Sequence, residues 1–181
     1  MTLKGILFGA WAFATLLGAT SASLPHPASA EALTVGDVLP KMKSLDVGGR
    51  ISTPADKTPA YRLIHFWAAY DAESRAMNQV WDHFFKANPH TAIRYEGISV
   101  DPEEAVWART ITWDQVDPHR QHCLPEGEQE EYTSRAGLTT NFHTYLIDQQ
   151  GVIVAVDPTP QKSRSIFNIP FMNEEAPTLK T

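Results

Sequence analysis

The chain has one cysteine, Cys123, among 181 residues. A single thiol makes no internal disulfide, no Cys-x-x-Cys redox pair and no multi-thiolate zinc site. Positive charge is also short. Fifteen Lys and Arg stand against 21 Asp and Glu, a formal charge of −6. That balance argues against a nucleic-acid binder and against a polybasic membrane-surface protein. No apolar run reaches the ~20 residues of a spanning helix. The longest, Gly5 to Ala19, is uncharged and 15 residues long. No internal repeat or low-complexity segment is present.

What is there reads as an exported globular domain. Lys4, the apolar run and Ala28-Ser29-Ala30 form the three parts of a signal peptide, with cleavage expected after Ala30. An uncleaved N-terminal anchor is the other reading. No cysteine lies near the site to carry a lipid. The expected location is periplasmic or secreted, with no transmembrane helix once the signal is removed. The composition, 43% hydrophobic and 20% charged, suits a packed core.

Along the remaining chain, Gly48-Gly49 lies between two short runs and predicts a small hairpin. Tyr61 to Trp67 is aromatic and β-branched, the pattern of a central strand buried on both faces. Residues 71–88 read as a helix whose stripe is Met77, Val80, Trp81, Phe84 and Phe85. Residues 92–100 form the next strand. Asp101-Pro102 predicts a helix start, with Asp101 as N-cap and Ala105, Val106 and Ile111 candidates for the inner face. Residues 112–127 read as a polar connection, and 128–136 as a short helix ended by Gly137. The acidic run from Glu126 to Glu131 reads as its solvated start. Residues 145–147 and 152–156 predict a closing hairpin. Four prolines in the last 24 residues leave 159–181 as an irregular tail. The order is β-β-β-α-β-α-α-β-β, a mixed central sheet flanked by helices, with a right-handed parallel crossover at 61–100.

The stretch Phe66-Trp67-Ala68-Ala69-Tyr70-Asp71-Ala72-Glu73-Ser74-Arg75, then Gly97 to Asp101, Ile111 to Val116, and Thr144 to Ile153, occur in a telling order. Over roughly residues 35–158 they resemble the thioredoxin fold. They are most similar to exported proteins grouped with TlpA and with the alkyl hydroperoxide reductase/thiol-specific antioxidant family. That resemblance implies an α/β thioredoxin-like domain over 31–158. It also implies that Asp71 and Ser74 stand where the family has its two cysteines, and Phe142 where it has a cis-proline. The family's final helix is hard to find.

These departures fall on the chemistry. Disulfide exchange needs an attacking thiolate and a resolving thiol, and a carboxylate and a hydroxyl supply neither. Asp71 suits the N-cap of the following helix. Retention of an anionic surface for a partner is the functional reading of the same residue. Asp71 and Glu73 diverge on a helix, which disfavours an acid–base pair. A trans bond is expected before Phe142, because a non-proline cis bond costs ~3 kcal/mol. Phe142 then either offers an aromatic contact or fills space. Trp67, Tyr70, Asp71, Asn141, Phe142 and His143 are the candidate binding residues, and the expected partner is a protein of the cell envelope.

Cys123 lies close to His119, Arg120 and His122. A lowered pKa there makes a reactive thiol; burial makes an inert one. A metal on His119, His122 and Cys123 is disfavoured, since neighbours rarely reach one ion; no metal and no cofactor are expected. His65 reads as a hydrogen-bonded core histidine. Trp67, Trp81, Trp107 and Trp113 read as core rather than a sugar platform. Two functions follow: a redox-inactive thioredoxin-like binding or scaffolding module, or a thiol-dependent antioxidant using Cys123 with an external resolving thiol.

Overall fold

A computed structural model describes residues 32–52, 60–139 and 141–162. The expected signal peptide, and the tail from 163 on, lie outside them. The organising element is the strand β3, Tyr61–Trp67, buried along six of its seven residues. It is central because both its edges are paired. β4 (Ile93–Ser99) runs parallel on one side, with Tyr61 opposite Ile93 and Trp67 opposite Ser99. β6 (Thr144–Asp148) runs antiparallel on the other. Among the described residues the sheet has seven strands in the order β2-β1-β5-β4-β3-β6-β7. β1 is Ser44–Leu45, β2 is Ile51–Ser52, β5 is Gln121–Cys123 and β7 is Ile153–Val156.

The two edges form as the turn residues dictate. In the β1–β2 hairpin Gly49 takes φ +69, a conformation open to glycine without strain. In the β6–β7 hairpin Gly151 takes φ +83, and the Asp148 carboxylate accepts the amides of Gln150 and Val152, each at 2.9 Å. A register shift between Leu146 and Ile147 bulges this edge.

β5 is the element the sequence conceals. Gln-His-Cys has no strand signature, and the stretch reads as loop. It forms because Gly97, Ile98 and Ser99 of β4 offer a parallel partner to Gln121, His122 and Cys123. The Gln121 side chain, wholly buried, is answered by Asn78 at 3.1 and 3.2 Å.

Among the described residues three α-helices of seven residues or more lie against the sheet. α1 (Ala72–Ala87) buries Ser74, Asn78, Trp81 and Phe85, a stripe at i, i+4, i+7 and i+11. This rotates the inner face away from the expected one. Met77 and Val80 stay 39% and 46% exposed, because the polar Ser74 and Asn78 have partners inside and take the inner positions. α2 is Glu104–Trp113. Asp101 does not cap it. The carboxylate turns inward instead, accepting the Ala69 amide at 3.0 Å and the Ser99 hydroxyl at 2.7 Å. Only Ile111 of the three suggested inward residues is buried; Val106 is partly covered and Ala105 is exposed. Trp113, expected in the core, is 71% exposed at the helix end, while Trp67, Trp81 and Trp107 are fully buried. α3 is Gln129–Arg135, closed by Gly137 at φ +67.

One sheet face packs Ile64, Phe66, Ile98, Tyr132, Tyr145 and Ile153 together. The other packs Leu63, Trp81, Phe84, Phe85, Tyr95 and Leu146 under α1. Each such side chain contributes roughly 1.5–3 kcal/mol on burial. Residues 160–162, placed by the sequence in an irregular tail, are helical. No helix among the described residues is long and apolar enough to cross a membrane.

Candidate functional site

The site forms where β3 ends and α1 begins. Asp71 has an extended backbone, φ −104 and ψ 107, and its Oδ1 accepts the Ser74 amide at 2.7 Å. That answers one of the donors every helix leaves unpaired at its start. The Ser74 hydroxyl is also engaged, donating to the Asp71 carbonyl and accepting from the Ala68 amide, both at 3.3 Å. Two candidate residues thus form a closed local cap.

His65 locks this cap to the sheet. Its Nε2 lies 2.8 Å from the Ser74 carbonyl and its Nδ1 2.9 Å from the Thr144 hydroxyl. A carbonyl only accepts, so Nε2 carries the proton and Nδ1 takes the Thr144 proton. Burial lowers the His65 pKa from 6.5 to about 4 and keeps the ring neutral. No sequence argument singled out this link. A histidine in an apolar strand marks only a buried polar group that needs partners.

Opposite the cap, residues 141–143 form the other wall of an open cleft of about 970 Å³. Tyr70, Asp71, Ser74, Asn141, Phe142 and His143 all line it. Tyr70 is 72% exposed, and its ring centroid lies 6.3 Å from that of Phe142. Trp67 does not belong with them. It is fully buried against Trp107, Ile111 and Val116, so it meets no partner. No cis peptide bond occurs among the described residues.

Asp157 fixes the far wall. Its carboxylate meets His143 Nδ1 at 2.8 Å and accepts the Thr144 amide at 2.8 Å. Partial burial works to raise the Asp157 pKa, but His143 and the Thr144 amide outweigh it and hold it below the usual value. The same bond raises the pKa of His143. Asp157 also takes φ +46, a left-handed conformation uncommon outside glycine. Sequence reading missed this residue; Val156-Asp157-Pro158 looks like an ordinary strand exit. Glu73 and Glu130 add negative charge to the lining.

Cys123 lies elsewhere. It packs with Trp67, Trp107, Ile111 and Val116, is 1% exposed and does not line the cleft. Burial, with Glu104 and Asp101 adding to it, raises its pKa to about 12. The neighbouring histidines do not activate it. His119 and His122 instead line a second hollow of about 400 Å³, with Arg94 and Arg120. Burial lowers the His122 pKa. Among the described residues no three His, Cys, Asp or Glu side chains converge as metal ligands would.

A mixed sheet with this strand order, a helix launched from the end of its central strand, and a cleft at that junction define a thioredoxin-like fold. No family model matches the chain, and no curated protein matches it. Among solved structures it is similar to a thioredoxin-like protein from Parabacteroides distasonis, at 29% identity and a TM-score of 0.64. That match covers 77% of this chain and 98% of the other. It is also similar to a thiol:disulfide interchange protein from a Bacteroides species, at 21% identity and a TM-score of 0.68, covering 79% and 96%. The thioredoxin domain of a Bacteroides vulgatus thiol-disulfide oxidoreductase matches at 21% identity and 0.66, covering 77% and 100%.

Proposed function

We propose that this chain is a redox-inactive thioredoxin-like domain that binds a protein of the cell envelope through the cleft. In this reading it derives from the TlpA and thiol-specific antioxidant group, and Asp71 and Ser74 occupy the redox positions. The observation that carries the proposal is the cap itself. Where thiol chemistry would need two sulfurs, a carboxylate and a hydroxyl hold the helix start closed. The one thiol is buried away from the cleft with its pKa raised, which weighs against an antioxidant role for Cys123. The cleft keeps what an extended protein segment needs: the exposed ring of Tyr70 beside a partly buried Phe142, and an acidic lining. No nucleic acid is expected, given the net negative charge. The location follows from the signal peptide, with cleavage after Ala30.

The test is direct. Reduced, purified protein without residues 1–30 is assayed for insulin disulfide reduction and for peroxide turnover. No rate above a Cys123→Ala control is expected. A clear rate above that control overturns the proposal and restores the thiol-dependent reading.

A further inference from the structure

The second hollow, of about 400 Å³, follows from where β5 begins. β5 pairs with Gly97 to Ser99 only. The stretch of β4 from Ile93 to Glu96 therefore has no strand beside it on that edge among the described residues. Four nitrogen-bearing side chains reach the gap from two directions. His122 stands opposite Ile98 in the ladder, so alternation places it on the same sheet face as Arg94 and Glu96. His119 and Arg120 come from the single helical turn Pro118–Arg120 that leads into β5. Among the described residues one carboxylate, Glu96, lines the hollow, and Arg62 Nη2 already holds it at 2.5 Å. In a chain of formal charge −6 this is a local excess of positive charge. Two of its groups are also unanswered. Arg120 Nη1 and His122 Nδ1 are shielded from solvent, and neither has a hydrogen-bond partner among the described residues. The three buried indole N–H groups in the same condition belong to Trp67, Trp81 and Trp107, none of which lines the hollow. Arg120 meets Asp117 only through Nε and only at 3.5 Å, too long for a firm hydrogen bond.

We infer that this hollow is an oxyanion site that takes a phosphate group between Arg94, Arg120 and His122, either as the free ion or as the end of a small phosphoester. A buried donor without an acceptor costs free energy, and a phosphate oxygen supplies the acceptor that both Arg120 and His122 lack. The two guanidinium groups suit the ligand, because their planar forks match phosphate oxygens in pairs. The Arg120 side chain is 26% exposed, so a small swing of the guanidinium brings the shielded Nη1 to the anion. Burial lowers the His122 pKa and leaves the ring neutral at pH 7. A neutral ring protonated at Nδ1 donates one further hydrogen bond. Phe85, Pro89 and Ile93 also line the hollow and offer apolar contact to the organic part of an ester. The site shares no lining residue with the cleft, so it stands apart from the protein-binding reading.

The experiment titrates the purified protein with inorganic phosphate at pH 7 and constant ionic strength, and follows the amide signals. Those of Arg94, Tyr95 and residues 119–122 should shift and saturate, while Tyr70 and Asp71 in the cleft stay still. Arg94→Gln and Arg120→Gln should each bind at least roughly tenfold more weakly, the loss expected for one charge-assisted hydrogen bond. Arg135→Gln, on the exposed side of α3, should bind as the wild type does. Arg94 is exposed, so its variant tests the site even where Arg120→Gln fails to fold. Phenyl phosphate, titrated in parallel, separates the two sources. Tighter binding than inorganic phosphate, with Phe85 and Ile93 also shifting, assigns the site to a phosphoester; equal or weaker binding assigns it to the free ion. Shifts that rise without saturating, shifts spread over other cationic surfaces, or Arg94→Gln that binds phosphate as tightly as the wild type overturns the inference. None of these outcomes bears on the cleft or on redox activity, so the proposed function stands or falls separately.

Discussion

The Asp71 carboxylate accepts the Ser74 amide at 2.7 Å, and the Ser74 carbonyl in turn accepts from His65 Nε2 at 2.8 Å. Cap, helix and central strand are thereby one connected unit. Replacing Asp71 with Ala removes the acceptor and should cost about 1 kcal/mol, while Asn or Ser should cost clearly less. Urea denaturation of the three variants checks the ordering. Equal loss in all three would mean that the carboxylate's charge, and not its hydrogen bond, holds the turn.

The same spacing permits a sulfur test of ancestry. Asp71→Cys with Ser74→Cys places two thiols at the first turn of α1, where the helix field lowers the pKa of the first. The pair should close to an intramolecular disulfide on oxidation, detected by mass. Insulin reduction should be absent in the wild type, weak in the double variant and stronger when Phe142→Pro is added. Failure of the disulfide to form would remove Asp71 and Ser74 from the redox positions.

A third prediction concerns Gly97, in the middle of β4. A Cβ there would lie 2.6 Å from Asn78 Oδ1 and closer still to the Gln121 side chain. Both amides are buried, and Asn78 also meets the Tyr95 hydroxyl. Gly97→Ala should therefore destabilise by roughly 1–3 kcal/mol through overpacking. Thermal unfolding measures it, with Gly48→Ala in the exposed hairpin as a milder comparison.

Much of this architecture was legible in the sequence, and the exceptions share a cause. Tyr61–Trp67, the hairpins at Gly48-Gly49 and Gly151, and α1 itself follow from apolar runs, turn residues and period. β5 was not legible, because Gln121 and His122 become strand only by pairing with β4. Apolar residues define a stripe on paper that puts Met77 and Val80 inside; the real stripe includes the polar Ser74, held by Asp71, Ala68 and His65, and Asn78, whose partner Gln121 lies far away in sequence. Asp101 looked like a cap next to Pro102, yet the Ala69 amide and the Ser99 hydroxyl hold it in the core. At the site, Asp71, Ser74 and the 141–143 wall could be located by motif order. Asp157 and the His65 bridge could not, since each acts through contacts with residues 9 to 79 positions distant.

Cys123 gives a prediction in alkali. Its pKa, raised from 9.0 to about 12 by burial, means that the folded state keeps the proton that the unfolded chain gives up. The thiol's contribution is therefore fully present below pH 9 and is lost as pH rises toward 12. Tyr145, raised to about 12, adds loss in the same direction above its ordinary value of 10. Native protein at pH 7 should alkylate with iodoacetamide far more slowly than the urea-unfolded chain, and should not form sulfenic acid in mild peroxide. Alkylation at the unfolded rate would show that the thiol is reached without unfolding.

On the acid side two histidines oppose each other. His65 is held at about 4, below its unfolded 6.5, so the unfolded chain binds a proton before the folded one does. Its contribution is present above pH 6.5 and is lost as pH falls toward 4, by about 3 kcal/mol over that window. His143 carries the reverse sign. Its folded pKa is raised by Asp157, so its contribution is full below pH 6.5 and is lost as pH rises through the folded value. Stability measured by urea from pH 4 to 8 should therefore fall toward acid in the wild type. Asp157→Asn removes the His143 ion pair while leaving a side chain that can still accept the Thr144 amide. That variant should lose more stability at pH 5.5 than at pH 8. His65→Gln, able to bridge Ser74 and Thr144 without titrating between pH 4 and 7, should flatten the wild-type acid slope. An unchanged slope in His65→Gln would assign the acid loss to carboxylates instead, and would remove the neutral His65 bridge as the link between cap and sheet.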